Sequence, residues 1–301
     1  MANITAQMIK ELRESTGAGM LDCKKALVET DGNMDAAVTW LRERGIAKAI
    51  KKGSAVAAEG LCSYAIKGNK AVLFELNSQT DFVAQNAKFT DLLNTVGEIL
   101  VNSNATNDEE ALKVESNGKT LETVILEASG VIGEKLSLRR VTVLTKNDDE
   151  IFGAYKHMGG HIVVVAVLKG SNEEVAKDVA MQIAALNPKY VSRNDIPTSV
   201  VESEKQVILA AALNENKESD KPKPENIVAE RIVPGRLEKS LKETCLLSQG
   251  FVKNPDQTVE AYLNGAKMSV TTFVRLLVGE GIEKVESDFA AEVAAQSAQF
   301  K

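Results

Sequence analysis

Two stretches of this chain, 61–77 and 151–168, repeat one pattern, and that pattern limits the folds open to it. Each carries a tyrosine with a glycine four residues later, Tyr64 to Gly68 and Tyr155 to Gly159. Each then passes a Gly-Asn or Gly-Gly pair, a two-residue hairpin signal. Each climbs an apolar, β-rich run (AVLFEL, HIVVVAVL) and then enters a helical pattern, roughly 83–101 and 172–186. A further strand pattern, LSLRRVTVL (136–144), sets basic among apolar residues. The repeat implies two α+β subdomains built on antiparallel sheets and raises duplication as their origin.

The flanking segments are helical. In 3–45, Thr5 can cap a first helix with the apolar face Met8, Ile9 and Leu12, which TGAG should end. A second helix is expected over Asp22–Glu29. A third, Met34–Arg44, should stop at Gly45. AKAIKKGSAVAAEG (47–60) reads as a helix tail and linker. Farther on, 199–241 predicts a protruding antiparallel helical hairpin, interrupted at Pro234 and Gly235. QGFVKNPDQT (249–258) reads as a loop, MSVTTFVRLLVGEGI (268–282) as a strand and the last residues as a closing helix.

At 301 residues the chain suits two or three domains. Its net charge of −6 and pI near 5.3 argue against broad binding to nucleic-acid phosphates. No apolar run approaches the roughly 20 residues of a membrane span, and the first 30 residues lack a signal-peptide stretch, so a cytoplasmic protein is expected. Cys23, Cys62 and Cys245 are odd in number and far apart, which fits reduced thiols rather than a disulfide frame or zinc site. His157 and His161 flank a hairpin turn, so a surface or partner-contacting His157 is favoured over a metal site. NGKT (117–120) lacks the upstream glycine and strand of a phosphate loop, and reads as a polar turn with Thr120 as helix cap. No signal points to covalent catalysis, and neither a cofactor nor a metal is expected.

The segment LNSQTDFVAQN (76–86) is the informative one. A polar turn between strand and helix carries a large ring, Phe82, directly after Asp81. Ser78 and Asp81 have capping-box spacing, with Thr80 a rival cap. Both place Asp81 at a helix N-terminus, where the dipole stabilises its charge. Phe89 lies seven residues on, so Phe82 can join that core stripe. The other reading is that the ring serves another protein's core.

TDFV (80–83) preceded by NSQ resembles the signature of bacterial elongation factor Ts. So do KELRESTGAGMLDCKKAL (10–27) and VGEGIEKVESDFAAEVAAQ (278–296), and the likeness spans essentially the whole chain. The resemblance implies a guanine-nucleotide exchange factor for the GTPase elongation factor Tu, not an enzyme with covalent chemistry of its own. It implies a ubiquitin-associated-like helical bundle with its linker (1–53), a two-part core (54–142 and 143–281), a helical-hairpin or coiled-coil insertion at about 199–241, and a C-terminal module (282–301). Thr80, Asp81, Phe82 and Val83 would enter the partner beside its magnesium. Arg13, Met20, Leu21, Lys24 and His157 would make secondary contacts. The hairpin is a candidate surface for a homodimer or a two-by-two complex. The alternative from another class is a non-catalytic adaptor that binds through the N-terminal bundle.

Overall fold

The computed structural model describes residues 4–16, 18–51, 56–219 and 221–282. Three helices come first: α1 (Ala6–Thr16), α2 (Met20–Glu29) and α3 (Met34–Lys51). The Met8 amide donates to Thr5 Oγ1 at 3.2 Å, the cap expected there. Leu12, Cys23, Ala26, Leu27 and Ala37 close a small core, with Trp40 and Leu41 at its margin. The third helix does not stop at Gly45; it continues to Lys51. Gly45 serves a helix crossing instead: a Cβ on Gly130, in a later helix, would lie 2.7 Å from the Gly45 backbone.

The first sheet has the order β1 (Glu59–Lys67), β2 (Lys70–Ser78), β5 (Ser137–Thr145), with a helical excursion before its third strand. That excursion is α4 (Asp81–Ala84), α5 (Ala87–Val101), α6 (Asp108–Leu112), the small hairpin β3 (Glu115–Ser116) and β4 (Lys119–Thr120), and α7 (Leu121–Ile132). Strand β5 (Ser137–Thr145) then pairs with β2. Lys67 faces Lys70 across the expected two-residue turn, whose Gly68 takes φ +56°. NGKT lies on the β3–β4 turn, and Thr120 caps α7 by accepting from the Thr123 amide at 3.2 Å.

The second sheet repeats the plan. Strands β6 (Glu150–His157) and β7 (Ile162–Lys169) form a hairpin, and α8 (Glu173–Leu186) follows. Here the turn is wider than the Gly-Gly pair suggested: His157 faces Ile162 across four residues. The extra length lets Gly160 settle onto β1, where an added Cβ would lie 2.7 Å from the Cys62 carbonyl.

The helical hairpin follows as α9 (Thr198–Lys217), α10 (Glu225–Ile227), a π turn (Val228–Ile232) and α11 (Val233–Thr244). Arg236 and Glu215 pair across it at 2.8 Å, and Ser240 donates to Glu204 at 2.8 Å. Ala212, Val228 and Val233 form its own core. Pro234 offers no N–H at the start of α11, and the wide π turn lies just before it. Residues 249–258 are not a loop. They hold β8 (Gly250–Phe251) and β9 (Asn254–Thr258), because the buried Phe251 ring stacks on Tyr262 at 4.1 Å between centroids. Tyr262 belongs to α12 (Val259–Gly265), and β10 (Ser269–Leu277) completes the second sheet beside β7. The expected closing helix, KVESDFAAEVAAQSAQF (284–300), falls outside the described residues.

The architecture is α+β, with two antiparallel sheets packed face to face and helices on their outer faces. Strand alternation explains the packing. Val72, Phe74 and Leu76 face the core under α5 and α7, while Ala71 and Leu73 face the other sheet. On β7, Val164, Ala166 and Leu168 face α8, while Val163 and Val165 meet the first sheet with Cys62 and Leu276. Burial on both faces is why HIVVVAVL is an unbroken apolar run.

One buried ionic knot fixes the end of β10 to the first sheet. Glu75, fully buried on β2, takes Arg140 Nε and Nη2 on one oxygen at 2.7 and 2.6 Å. Its other oxygen accepts from Asn77 Nδ2 at 2.6 Å and the Gly279 amide at 2.7 Å. Arg140 also reaches Glu280 at 3.1 Å. Neighbouring strand residues normally point to opposite faces. A bulge in the β2–β5 pairing, with Arg140 at φ +55°, brings Arg139 within 3.8 Å of the same carboxylate. The bulged Arg140 and Val141 amides are taken up by Asp108 at 2.9 and 2.6 Å.

Candidate functional site

The turn after β2 is held from below and open above. Ser78 is buried and its hydroxyl donates to the Thr80 carbonyl at 2.8 Å, so it forms no capping box with Asp81. Thr80 occupies the N-cap position of α4, but its hydroxyl donates to Glu134 Oε1 at 2.6 Å rather than capping. The Gln79 and Thr80 amides donate to the other oxygen of Glu134 at 3.1 and 3.0 Å. In return, the Lys135 amide donates to the Gln79 side chain at 3.4 Å.

Helix α4 is a single turn, not the start of one long helix from 83 to 101. Its C-cap is Gln85, and Asn86 caps α5 by accepting from the Lys88 amide at 2.9 Å. Within α4, Val83 and Ala84 turn down into the first core. Asp81 and Phe82 face outward, and the Phe82 ring is 80% exposed. Phe89 is fully buried, so the two rings do not share one stripe. Of the two readings of Phe82, the own-core one is excluded by this exposure.

The N-terminal helices approach the same region. Arg13 and Met20 line a groove with Ile9 and Lys10 on one side and Lys88 and Val131 on the other. Met20 is 58% and Leu21 83% exposed, and Lys24 is exposed on the same short helix. Thus Arg13 and Met20 are brought to the start of α5 at Lys88. His157 is placed elsewhere, at the exposed tip of the second hairpin. Its Nδ1 lies 3.5 Å from the Tyr155 hydroxyl. Next to it, Lys156 bridges the two sheets: Nζ donates to Ser63 Oγ at 3.0 Å and sits 4.9 Å from the Tyr64 ring centroid. Burial pushes its pKa below the usual lysine range.

Sequence reading passed over Glu134, Lys88 and Val131. Glu134 lies 54 residues from Thr80, and no local spacing links them. Among the described residues no group of three His, Cys, Asp or Glu side chains is arranged to hold a metal ion, and no helix is long and apolar enough to cross a membrane. The thiols are buried, and Cys62 is pushed up to about 12 by desolvation and by Glu75. An exposed ring and carboxylate on a tethered turn, and an exposed apolar helix end at Met20 and Leu21, are surfaces suited to docking.

Comparison with known proteins identifies the family. The family model described as Elongation factor TS matches residues 79–280. The chain is 56% identical over 294 residues to Elongation factor Ts of Acholeplasma laidlawii (strain PG-8A), covering 97% of this chain and 98% of that protein. The chain belongs to the elongation factor Ts family.

Proposed function

We propose that this protein is a guanine-nucleotide exchange factor for elongation factor Tu in the elongation phase of protein synthesis. The observation that carries the reading is the exposed Phe82 ring beside Asp81, on a turn anchored by Glu134 and Val83. Family membership supports the partner. In this reading Asp81 and Phe82 enter the GTPase next to its magnesium site. Thr80 and Val83 hold the wedge rather than forming its tip. A carboxylate brought near the partner's magnesium disturbs the ion's oxygen shell and its hold on the phosphates.

Such a factor needs no acid, base or metal of its own. It binds the nucleotide-free GTPase more tightly than the nucleotide-bound one, and nucleotide weakens its binding by the same factor. A thousandfold faster release corresponds to about 4 kcal/mol of barrier. Burial of one phenylalanine contributes roughly 1.5–3 kcal/mol. Phe82 alone falls short, so further contacts must hold it in place. Arg13, Met20, Leu21 and Lys24 on the N-terminal helices and His157 on the second hairpin are the residues assigned to that task.

The organisation follows from the same reading. Residues 1–53 act as a ubiquitin-associated-like bundle with its linker, 54–142 and 143–281 as the two halves of the core, and 282–301 as a C-terminal module. The hairpin at about 199–241 acts as a coiled-coil association surface, including association between copies. The protein works in the cytoplasm, without nucleic acid or a cofactor. The test is release of a fluorescent GDP analogue from elongation factor Tu. Acceleration by substoichiometric amounts of the full chain is expected; unchanged release overturns the proposal.

A further inference from the structure

The strongest unassigned feature is the Glu134 carboxylate under the turn. One side chain collects three donors from the other side of the subdomain: the Gln79 amide, the Thr80 amide and the Thr80 hydroxyl, at 3.1, 3.0 and 2.6 Å. Hydrogen bonds to an ionised acceptor are roughly twice as strong as neutral ones. Glu134 is itself fixed. It follows Gly133, which ends α7 in the left-handed conformation at φ +89°. The buried Ser129 hydroxyl donates to the Glu134 carbonyl. The carboxylate therefore does not trail from a loop; it is presented by the closed end of a helix.

The clamp acts where order matters. Residues 79 and 80 immediately precede Asp81 and Phe82, and Val83 is anchored in the core. The exposed pair is thus tied on both sides, and the ring has no packing of its own to hold it. A turn free to move would have to be ordered on docking, and that ordering opposes the contact. We infer that Glu134 is a positioning residue for nucleotide exchange, holding the Asp81–Phe82 turn ready for insertion into the partner. This rests on the exchange reading given above.

The test is a double-mutant cycle on GDP release from elongation factor Tu, with the full chain at saturating concentration. The variants are Glu134→Ala, Phe82→Ala and the two combined. Glu134→Ala is expected to slow the saturated rate about tenfold, or about 1.4 kcal/mol, with a smaller change in half-saturating concentration. Glu134→Gln, which keeps the shape and one accepting oxygen, falls between. The combined variant should lose clearly less than the product of the two single losses, because a loosened turn then has only Asp81 left to present. Multiplying losses would overturn the inference, since the carboxylate would be acting on the fold at large. So would a Glu134→Ala rate within about twofold of the unmodified chain. Should Glu134→Ala not fold, the same cycle run with Glu134→Gln decides. Absence of acceleration by the unmodified chain is a distinct result that removes the exchange reading and this inference together.

Discussion

Gly45 and Gly130 touch backbone to backbone where α3 crosses α7, and the contact is unequal. A Cβ on Gly130 would come to 2.7 Å of the Gly45 Cα and carbonyl carbon, whereas a Cβ on Gly45 would meet Gly130 at an ordinary 3.6 Å. Arg42 and Glu127 pair beside this crossing, and Lys119 reaches the same carboxylate at 2.7 Å. The crossing thus joins the N-terminal helices to the helix whose end carries Glu134.

The inequality makes a prediction. Gly130→Ala should push α3 away and cost about 1–3 kcal/mol, as overpacking does. Gly45→Ala should be neutral or stabilising by up to about 1 kcal/mol through helix propensity. Denaturant unfolding of the two variants checks this. Equal effects would mean that the crossing is looser than described.

The Glu75–Arg140 knot predicts strong coupling. Glu75→Ala leaves the Arg140 guanidinium part-buried without its main partner and should cost about 3–5 kcal/mol. Replacing both by apolar residues should cost less than the sum of the single changes. Thermal unfolding of the single and double variants measures this, and simple additivity would show that Glu75 and Arg140 are not coupled.

Glu150 gives a pH dependence. Its carboxylate accepts from the Asn147 amide at 2.8 Å and from the Thr271 hydroxyl at 2.6 Å, beside the bulge in the β10–β7 pairing. The Asn147 amide first, then Thr271, hold its pKa below the ordinary 4.5. A lowered folded value stabilises the protein above the unfolded value, and that contribution is lost as pH falls through the folded one. Glu150→Gln should therefore lower Tm at neutral pH, and the gap should close as pH drops below about 4.5. A gap that stays constant with pH would contradict the assignment.

The helical hairpin has its own small core and cross-hairpin pairs. Replacing residues 199–241 by a short linker should leave exchange within a few-fold of normal, as measured by GDP release. Near-complete loss in a folded protein would move the hairpin into the exchange apparatus.

Much of this was legible in the sequence, because periodicity is local. The two hairpins, the β5 and β10 strands and the helical hairpin all follow from runs a few residues long. Gly45 misled because a helix-ending glycine and a helix-crossing glycine look alike until the partner, Gly130, is in view. Residues 249–258 misled because the short strands carry Pro255 and Asn254, and only the stacking of Phe251 on Tyr262 shows why they pair. In the site, Asp81 and Phe82 stood out as a charge and a ring in a turn. Their support did not. Glu134 is joined to Thr80 only by the fold, and the same holds for Glu75 and Arg140, which lie 65 residues apart.

The most direct test of the central claim is GDP release from elongation factor Tu driven by Phe82→Ala, with thermal unfolding of the same preparation alongside. An 80% exposed ring contributes little to its own fold, so Tm should stay near that of the unmodified chain while exchange falls by at least about tenfold. A variant that exchanges normally per folded molecule would contradict the account, because the exposed ring would then take no part in exchange.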